Sequence, residues 1–136
     1  MPAGYSSTPL AKKLGIKPGF DCLLCNEPDH YFDLFSDLPV DLKPMKRIQK
    51  GRADFVHLFC TRFKELQKLA PKYKNAIKKT GMIWISWPKG GSKIETDLKR
   101  EPIREFMLEL GLVDVKVAAI DEDWSGLKFV YRTKDR

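Results

Sequence analysis

The residues of this 136-residue chain best suited to chemistry are its three cysteines and two histidines. Cys22 and Cys25 have C-x-x-C spacing, but both lie in the apolar run of residues 20–25, and positions three apart on a strand face opposite sides. A zinc or thioredoxin-type pair needs a loop or a helix start to bring both sulfurs together, so these thiols read as buried core groups. A sharper arrangement has Cys25 and Cys60 meeting at the ends of neighbouring strands with His30 beside them, three ligands for a metal; the reading adopted assigns no metal. His57, inside an apolar strand, reads as a core histidine with a satisfied ring. Serines, histidines and acids for nucleophilic catalysis occur only as scattered residues. No G-x-S-x-G elbow exists, so hydrolase chemistry has little support.

A second group follows an apolar run. Ser86, Trp87 and Lys89, the loop Gly90–Gly91–Ser92–Lys93, and Thr96–Asp97 make a polar stretch at a strand's carboxyl end. Glycines and lysines there could cradle an anion, but the spacing is not that of a P-loop, and a mobile surface loop is the plainer reading. Trp84 and Trp87 fall on opposite sides of a strand, one in the core and the other reaching the sheet end. Trp124 and Ser125 lie in a turn, where an exposed tryptophan invites a contact. Packing over the sheet edge is preferred there, with a ligand or partner second.

The elements that position these residues follow from periodicity. Residues 8–15 read as a short helix, with Thr8 able to cap, Pro9 at the first position and Gly15 ending it. Residues 20–25 and 82–87 are apolar runs of strand length, 30–38 a short helix and 43–48 a brief strand. Residues 53–60 are apolar at nearly every position, as in a strand covered on both faces. From Arg62, the stripe Phe63, Leu66, Ala70, Tyr73 and Ile77 marks a helix face, which Pro71 should kink or split and Gly81 should close. A helix near Pro102 buries Ile103, Phe106, Met107 and Leu110. Residues 112–120 alternate Val113, Val115, Val117 and Ala119 against Asp114, Lys116 and Ala118. With Leu127, Phe129 and Tyr131 they read as an antiparallel hairpin at a sheet edge. Strands alternating with helices imply a mostly parallel α/β sheet with right-handed crossovers.

Composition, 43% hydrophobic and 32% charged, is that of a globular chain. Residues 1–136 read as one domain. There is no membrane-spanning run, and the N-terminus lacks the apolar core of a secretory signal. An odd cysteine count suits reduced thiols in a cytoplasmic protein. The net charge of +7 is uneven: residues 43–79 hold twelve Lys and Arg against two acids, a local +10 that leaves −3 elsewhere. Such a surface could attract phosphates, nucleic acid or an acidic partner, though lysines on a helix are usually its solvated face.

The element order, closing in an antiparallel hairpin, resembles the methyltransferase-like branch of Rossmann-like folds in shortened form. KYKNAIKKTGMIWISWPK is similar to the helix–glycine–strand passage late in those enzymes. Four blocks, AGYSSTPLAKKLGIKPG, ISWPK, TDL and LVDVKVAAIDEDWSGLKFV, look like a family of small bacterial proteins known only as a domain of unknown function. The resemblance spans nearly the whole chain. It implies a Rossmann-like, methyltransferase-like three-layer sandwich, its mostly parallel sheet ending in an antiparallel hairpin, and brings no catalytic residues with it.

In open parallel sheets, ligands bind beyond the carboxyl ends of the strands where strand order reverses. A methyltransferase-like order makes residues 20–25 and 53–60 central neighbours. The candidate ligand residues are then Asn26, Asp29, Cys60, Thr61, Trp87, Lys89, Gly90, Gly91 and Trp124. A nucleotide or S-adenosylmethionine site here generally uses glycines after the first strand. The turn CNEPDHY has none, and Pro28 removes a donor. No acidic residue closes the second strand, near MKRIQKGR. No cofactor is therefore expected, and the chain reads as a non-catalytic domain on a degenerate scaffold, binding a small anionic ligand or a protein partner. Two alternatives stand beside it. One is an S-adenosylmethionine- or nucleotide-using enzyme with a divergent cofactor loop. The other is nucleic-acid or anion binding through the basic segment, at Lys46, Arg47, Lys50 and Arg52.

Overall fold

The computed structural model describes residues 8–136; the start of the first sequence block, residues 3–7, lies outside them. In chain order the elements are α1 (Leu10–Leu14), β1 (Asp21–Cys25), a 3-10 turn (Tyr31–Leu34), β2 (Lys43–Pro44), β3 (Ala53–Phe59), α2 (Phe63–Ala76), β4 (Ile77–Pro88), α3 (Arg100–Glu109), β5 (Leu112–Ala119) and β6 (Trp124–Tyr131), followed by a 3-10 turn at Thr133–Asp135. They form one six-stranded sheet in the order β2-β1-β3-β4-β6-β5. The strands β2, β1, β3 and β4 pair in parallel, and β6 runs antiparallel to both β4 and β5. The α/β class, the mostly parallel sheet and the terminal antiparallel hairpin are those the sequence implies. No helix among the described residues is long and apolar enough to cross a membrane.

Two apolar clusters sandwich the sheet. Val56, Leu58, Ile83 and Ile85 face α2 and α3, whose Leu66, Ala70, Ile103 and Met107 are buried against them. Phe55, Phe59, Met82 and Trp84 face α1 and the segment after β1, with Leu10, Leu14 and Tyr31. β3 is thus covered on both sides, the reason its sequence is apolar at almost every position. Trp84 and Trp87 do fall on opposite faces, and both are buried. The Trp84 indole Nε1–H donates to the Leu14 carbonyl at 2.9 Å, fastening α1 to β4.

Several local expectations are corrected. Pro9 occupies the cap position of α1, and the free amides of Ala11 and Lys12 donate to the Asp37 carboxylate, both at 3.0 Å. Of residues 30–38 only Tyr31–Leu34 turn helically, as a 3-10 turn rather than a longer helix, and the strand near residue 43 is two residues long. Pro71 lies within a single helix and does not split it. The carbonyl that loses its partner there belongs to exposed Gln67, within reach of water. Gly81 does not close α2, which ends at Ala76; it sits in β4 beside a break in register with β3. A Cβ at Gly81 would stand 2.8 Å from the Ala53 carbonyl oxygen and 3.1 Å from that of Asp54.

The valines of β5 do not share one face. The register with β6 slips between Asp114 and Lys116. Asp114 turns to Arg104 on α3, while Lys116 donates to the Lys13 carbonyl on the α1 side. One extra residue reverses the pleat, leaving Val115 and Val117 about half exposed at the sheet edge.

Because rigid backbone oxygens confront it, Gly81→Ala is expected to cost about 1–3 kcal/mol. Gly90→Ala, where nothing lies within 4 Å, serves as the near-neutral control. Urea unfolding of the two variants checks this; equal midpoints would remove the close approach as the reason for glycine.

Candidate functional site

Strand order reverses between β1 and β3, which are parallel neighbours although β2 intervenes in sequence. Their carboxyl ends are where a ligand is expected in such a sheet. There the turn after β1 begins at Asn26, whose φ of 58° is the one positive value at a non-glycine residue among those described. The backbone therefore takes the left-handed form that a glycine would have taken, as asparagine tolerates better than most residues. What differs from a glycine turn is the side chain. Asn26 Nδ2 donates to the Phe59 carbonyl at 3.3 Å and to Glu65 Oε2 at 3.4 Å, lying across the ends of both strands.

The other donors at this edge are also engaged. The Thr61 amide donates to Glu65 Oε1 at 3.0 Å. At the amino end of α2, the Phe63 amide donates to the Asp97 carboxylate at 2.7 Å. The Thr96 hydroxyl donates to the Thr61 carbonyl at 2.7 Å and accepts from the Leu98 amide. Thr96–Asp97–Leu98, expected to be loop, thus caps α2 from 34 residues away. A carboxylate of the chain itself fills the place where a helix start would receive an anion.

The sequence-derived candidates form a row rather than a pocket. Asn26, Cys60, Thr61, Trp87 and Lys89 lie along the ends of β1, β3 and β4. Cys60 and Trp87 are buried toward α2 and α3. Trp124 is not an exposed turn residue: it opens β6, is buried, and packs edge-on against Phe59 with ring centroids 5.0 Å apart. Asp29 is exposed, as are Gly90 and Gly91. The glycine loop is tied to acids rather than arranged around an anion. The Lys89 amide donates to the Asp123 carbonyl at 2.8 Å, and the Ser92 hydroxyl to the Asp123 carboxylate at 2.9 Å.

Cys25, Cys60 and His30 do not come together. His30 Nε2 lies 2.9 Å from the Asp121 carboxylate, on the α1 side, while Cys25 and Cys60 pack on the α2 side. Burial pushes the thiols of Cys22 and Cys60 up to about 12, with nearby carboxylates adding to it. These are neutral core groups. Among the described residues no group of three or more His, Cys, Asp or Glu is placed to hold a metal ion.

Sequence reasoning missed a polar chain in mid-sheet. The Tyr31 hydroxyl lies 2.9 Å from His57 Nδ1, and Ser86 Oγ lies 2.6 Å from His57 Nε2. All three side chains are buried. The serine and histidine that looked scattered are therefore bonded. Their third member is a phenol rather than a carboxylate, and no solvent reaches the serine, so the set is not a nucleophile. Burial lowers the His57 pKa to about 3, which keeps the ring neutral.

Beside β1, on the α1 face, lies a cavity of about 450 Å3. Its walls include Cys22 and Leu24 of β1, Phe55 of β3, and Leu38 and Leu42 of the covering segment, with Glu27 the one charged residue. This volume falls in the range of small-molecule sites. Across Pro44 and Met45 a second cleft, of about 470 Å3, collects Lys46, Arg47 and Arg52 with Gln49 and Asp21; Lys50 is exposed but outside this lining. The rest of the basic segment is partly committed. Lys78 pairs with Asp54 at 2.9 Å, Lys74 bonds the Leu110 carbonyl, and Lys79 sits 4.3 Å over the Tyr131 ring. Phe63 and Tyr73 pack against the core.

Compared with solved structures, the chain is similar to methyltransferases. A SAM-dependent methyltransferase from Aquifex aeolicus matches with a TM-score of 0.58 at 14% identity, over 88% of this chain and 86% of that one. A TehB-like SAM-dependent methyltransferase from Corynebacterium glutamicum gives 0.58 at 9% identity, over 90% and 86%. The 1,6-didemethyltoxoflavin-N1-methyltransferase of Burkholderia thailandensis, with bound S-adenosylhomocysteine, gives 0.53 at 12%, over 88% and 73%. The chain therefore has a Rossmann-like, methyltransferase-like fold; at these identities the likeness extends to the fold alone. No family model matches it, and no curated protein matches it in sequence.

His57 is neutral when folded and has an ordinary pKa near 6.5 when unfolded. Below pH 6.5 the unfolded chain binds the extra proton, so stability falls as pH drops from 6.5 toward 3, by at most about 1.4 kcal/mol per pH unit. His57→Gln, which cannot charge, should flatten the slope between pH 6.5 and 5 in urea unfolding, while being less stable at pH 7. An unchanged slope would show that His57 is not the titrating group.

Proposed function

We propose that this chain binds an S-adenosyl compound on its methyltransferase-like scaffold through a divergent turn after β1. The observation that carries the reading is the left-handed Asn26, φ 58°, at the strand end where order reverses. The turn keeps the backbone shape of a glycine turn and replaces its open space with an amide side chain. The similarity to methyltransferases, one of them holding S-adenosylhomocysteine, supports the same ligand class. Asn26 would have to leave Phe59 and Glu65 and turn its amide to the ligand. No arrangement of acid and base at the edge argues for a particular acceptor, so the proposal is of binding by an enzyme-type scaffold, with the methyl acceptor unassigned.

A second reading is favoured by a specific observation. Thr61, Phe63 and Asn26 already donate to Glu65, Asp97 and Phe59, which suits a scaffold that has given up the cofactor. In that case the chain is a non-catalytic domain for another small ligand or a protein partner.

Thermal unfolding with S-adenosylmethionine and S-adenosylhomocysteine separates the two. A ligand at about ten times its Kd stabilises the folded state by about 1.4 kcal/mol, a rise of several degrees in Tm. Asn26→Gly keeps the positive φ and clears the edge, and is expected to bind at least as tightly as the natural chain. Absence of any shift at millimolar ligand in both proteins would decide for the non-catalytic domain.

A further inference from the structure

We propose that the cavity beside β1 is a binding site for a small amphiphilic cation, an alkyl or aryl amine whose carbon body fills the cavity and whose ammonium pairs with Glu27. This site shares Glu27 with the strand-end turn, but Asn26 does not line it, and it does not depend on the S-adenosyl reading.

The lining decides the ligand's chemistry. Leu24, Leu38, Leu42 and Phe55 offer only carbon. The Cys22 thiol donates to the Phe20 carbonyl at 3.8 Å and stays protonated. The Tyr31 hydroxyl, though its ring forms part of the wall, is committed to His57. Glu27, exposed at the rim, is left as the one charged residue of the lining able to recognise a ligand's polar end. An uncharged apolar ligand would leave it unused, and an anion would be repelled.

The covering segment strengthens that choice. Residues 26–42 carry Glu27, Asp29, Asp33, Asp37 and Asp41 and no Lys or Arg, in a chain of net charge +7. Asp37 is held by the amides of α1, while Asp29, Asp33 and Asp41 are exposed. Carboxylates concentrated in the segment that covers the cavity raise the local concentration of cations along it. The nearest basic cluster, Lys46, Arg47 and Arg52, lies in the neighbouring cleft across Pro44 and Met45 and lines none of this cavity. Phe32, 57% exposed, is also among the lining residues and offers a ring face to an ammonium.

The test uses two probes with one carbon body and opposite charge, phenylbutylamine and phenylbutyrate, titrated into the full chain without S-adenosyl compounds and followed by amide NMR and calorimetry. The amine should bind about tenfold more tightly than the acid, with shifts centred on Cys22, Leu24 and Phe55. Glu27→Gln should erase the preference while leaving weak binding of both. Leu24→Trp, or Leu38→Trp if the first does not fold, should fill the space and abolish both. Equal affinities, tighter binding of the acid, a preference that survives Glu27→Gln, shifts centred on Lys46 to Arg52, or no binding at all would each overturn the proposal. None of these results bears on the thermal shift with S-adenosylmethionine, so the two readings fail separately.

Discussion

The imidazole of His57 has no access to water, and its two nitrogens reach in opposite directions, to Tyr31 in the segment after β1 and to Ser86 in β4. A neutral ring has one donor and one acceptor, so the two hydroxyls must be oriented to match it. Leaving either nitrogen unpaired in this interior costs about 1–3 kcal/mol. The chain also stacks on Phe59, with ring centroids 4.2 Å apart, and Tyr31 packs edge-on against Phe35 and Phe59. Through Tyr31 the covering segment is held at a set height above β1 and β3. That height gives the cavity its depth. On the far side, Gly126 lets β6 approach β4: a Cβ there would stand 3.0 Å from Ser86 Oγ and from Trp84. One buried ring thus joins β3 to β4 and to the covering segment that walls the cavity.

The strand ends show why a methyltransferase-like fold does not by itself make a methyltransferase site. Glycines serve such a site in two ways, by permitting a left-handed backbone and by leaving room for a ligand to approach it. Here the two are separated. Asn26 supplies the first and denies the second, because its amide spans the ends of β1 and β3. Asp97 and Glu65 take the amides that would otherwise face a ligand. These bonds join β1, β3 and α2 into one edge, so any ligand seated there has to displace contacts the protein makes with itself.

Charge is segregated in a way that sequence counting shows only in part. The basic excess of residues 43–79 is contiguous in the chain, whereas a second basic group forms only in the fold. Burial lowers the pKa of Lys13, with Lys116 and Lys89 beside it, and likewise that of Lys128, with Lys116 and Lys17. These five lysines come from four separate stretches of the sequence. The acidic segment over the cavity, residues 26–42, ends where the basic segment begins, yet the cavity lining contains its Glu27 and none of the cations of either group.

Much of this protein is legible in its sequence because periodicity is local. The continuous apolar run of β3 announces burial on both faces. Three-residue spacing put Cys22 and Cys25, and Trp84 and Trp87, on opposite sides of their strands, and the stripes of α2 and α3 named residues those helices turn to the core, except Ile77, which opens β4. Parallel order follows from strands alternating with helices, through the handedness of the crossovers. The tertiary structure alone decided the rest. Gly81 looked like the end of a helix because a lone glycine does not reveal which carbonyl will pass beside it. Val115 looked inward because an extra residue in one strand shows only against its partner. Asp97 capping Phe63, Asp37 capping α1, and the Tyr31–His57–Ser86 chain each join residues 26 to 34 positions apart. Their meeting depends on strand register, which no short window of residues contains, and the cavity between β1 and its covering segment exists only once those bonds are made.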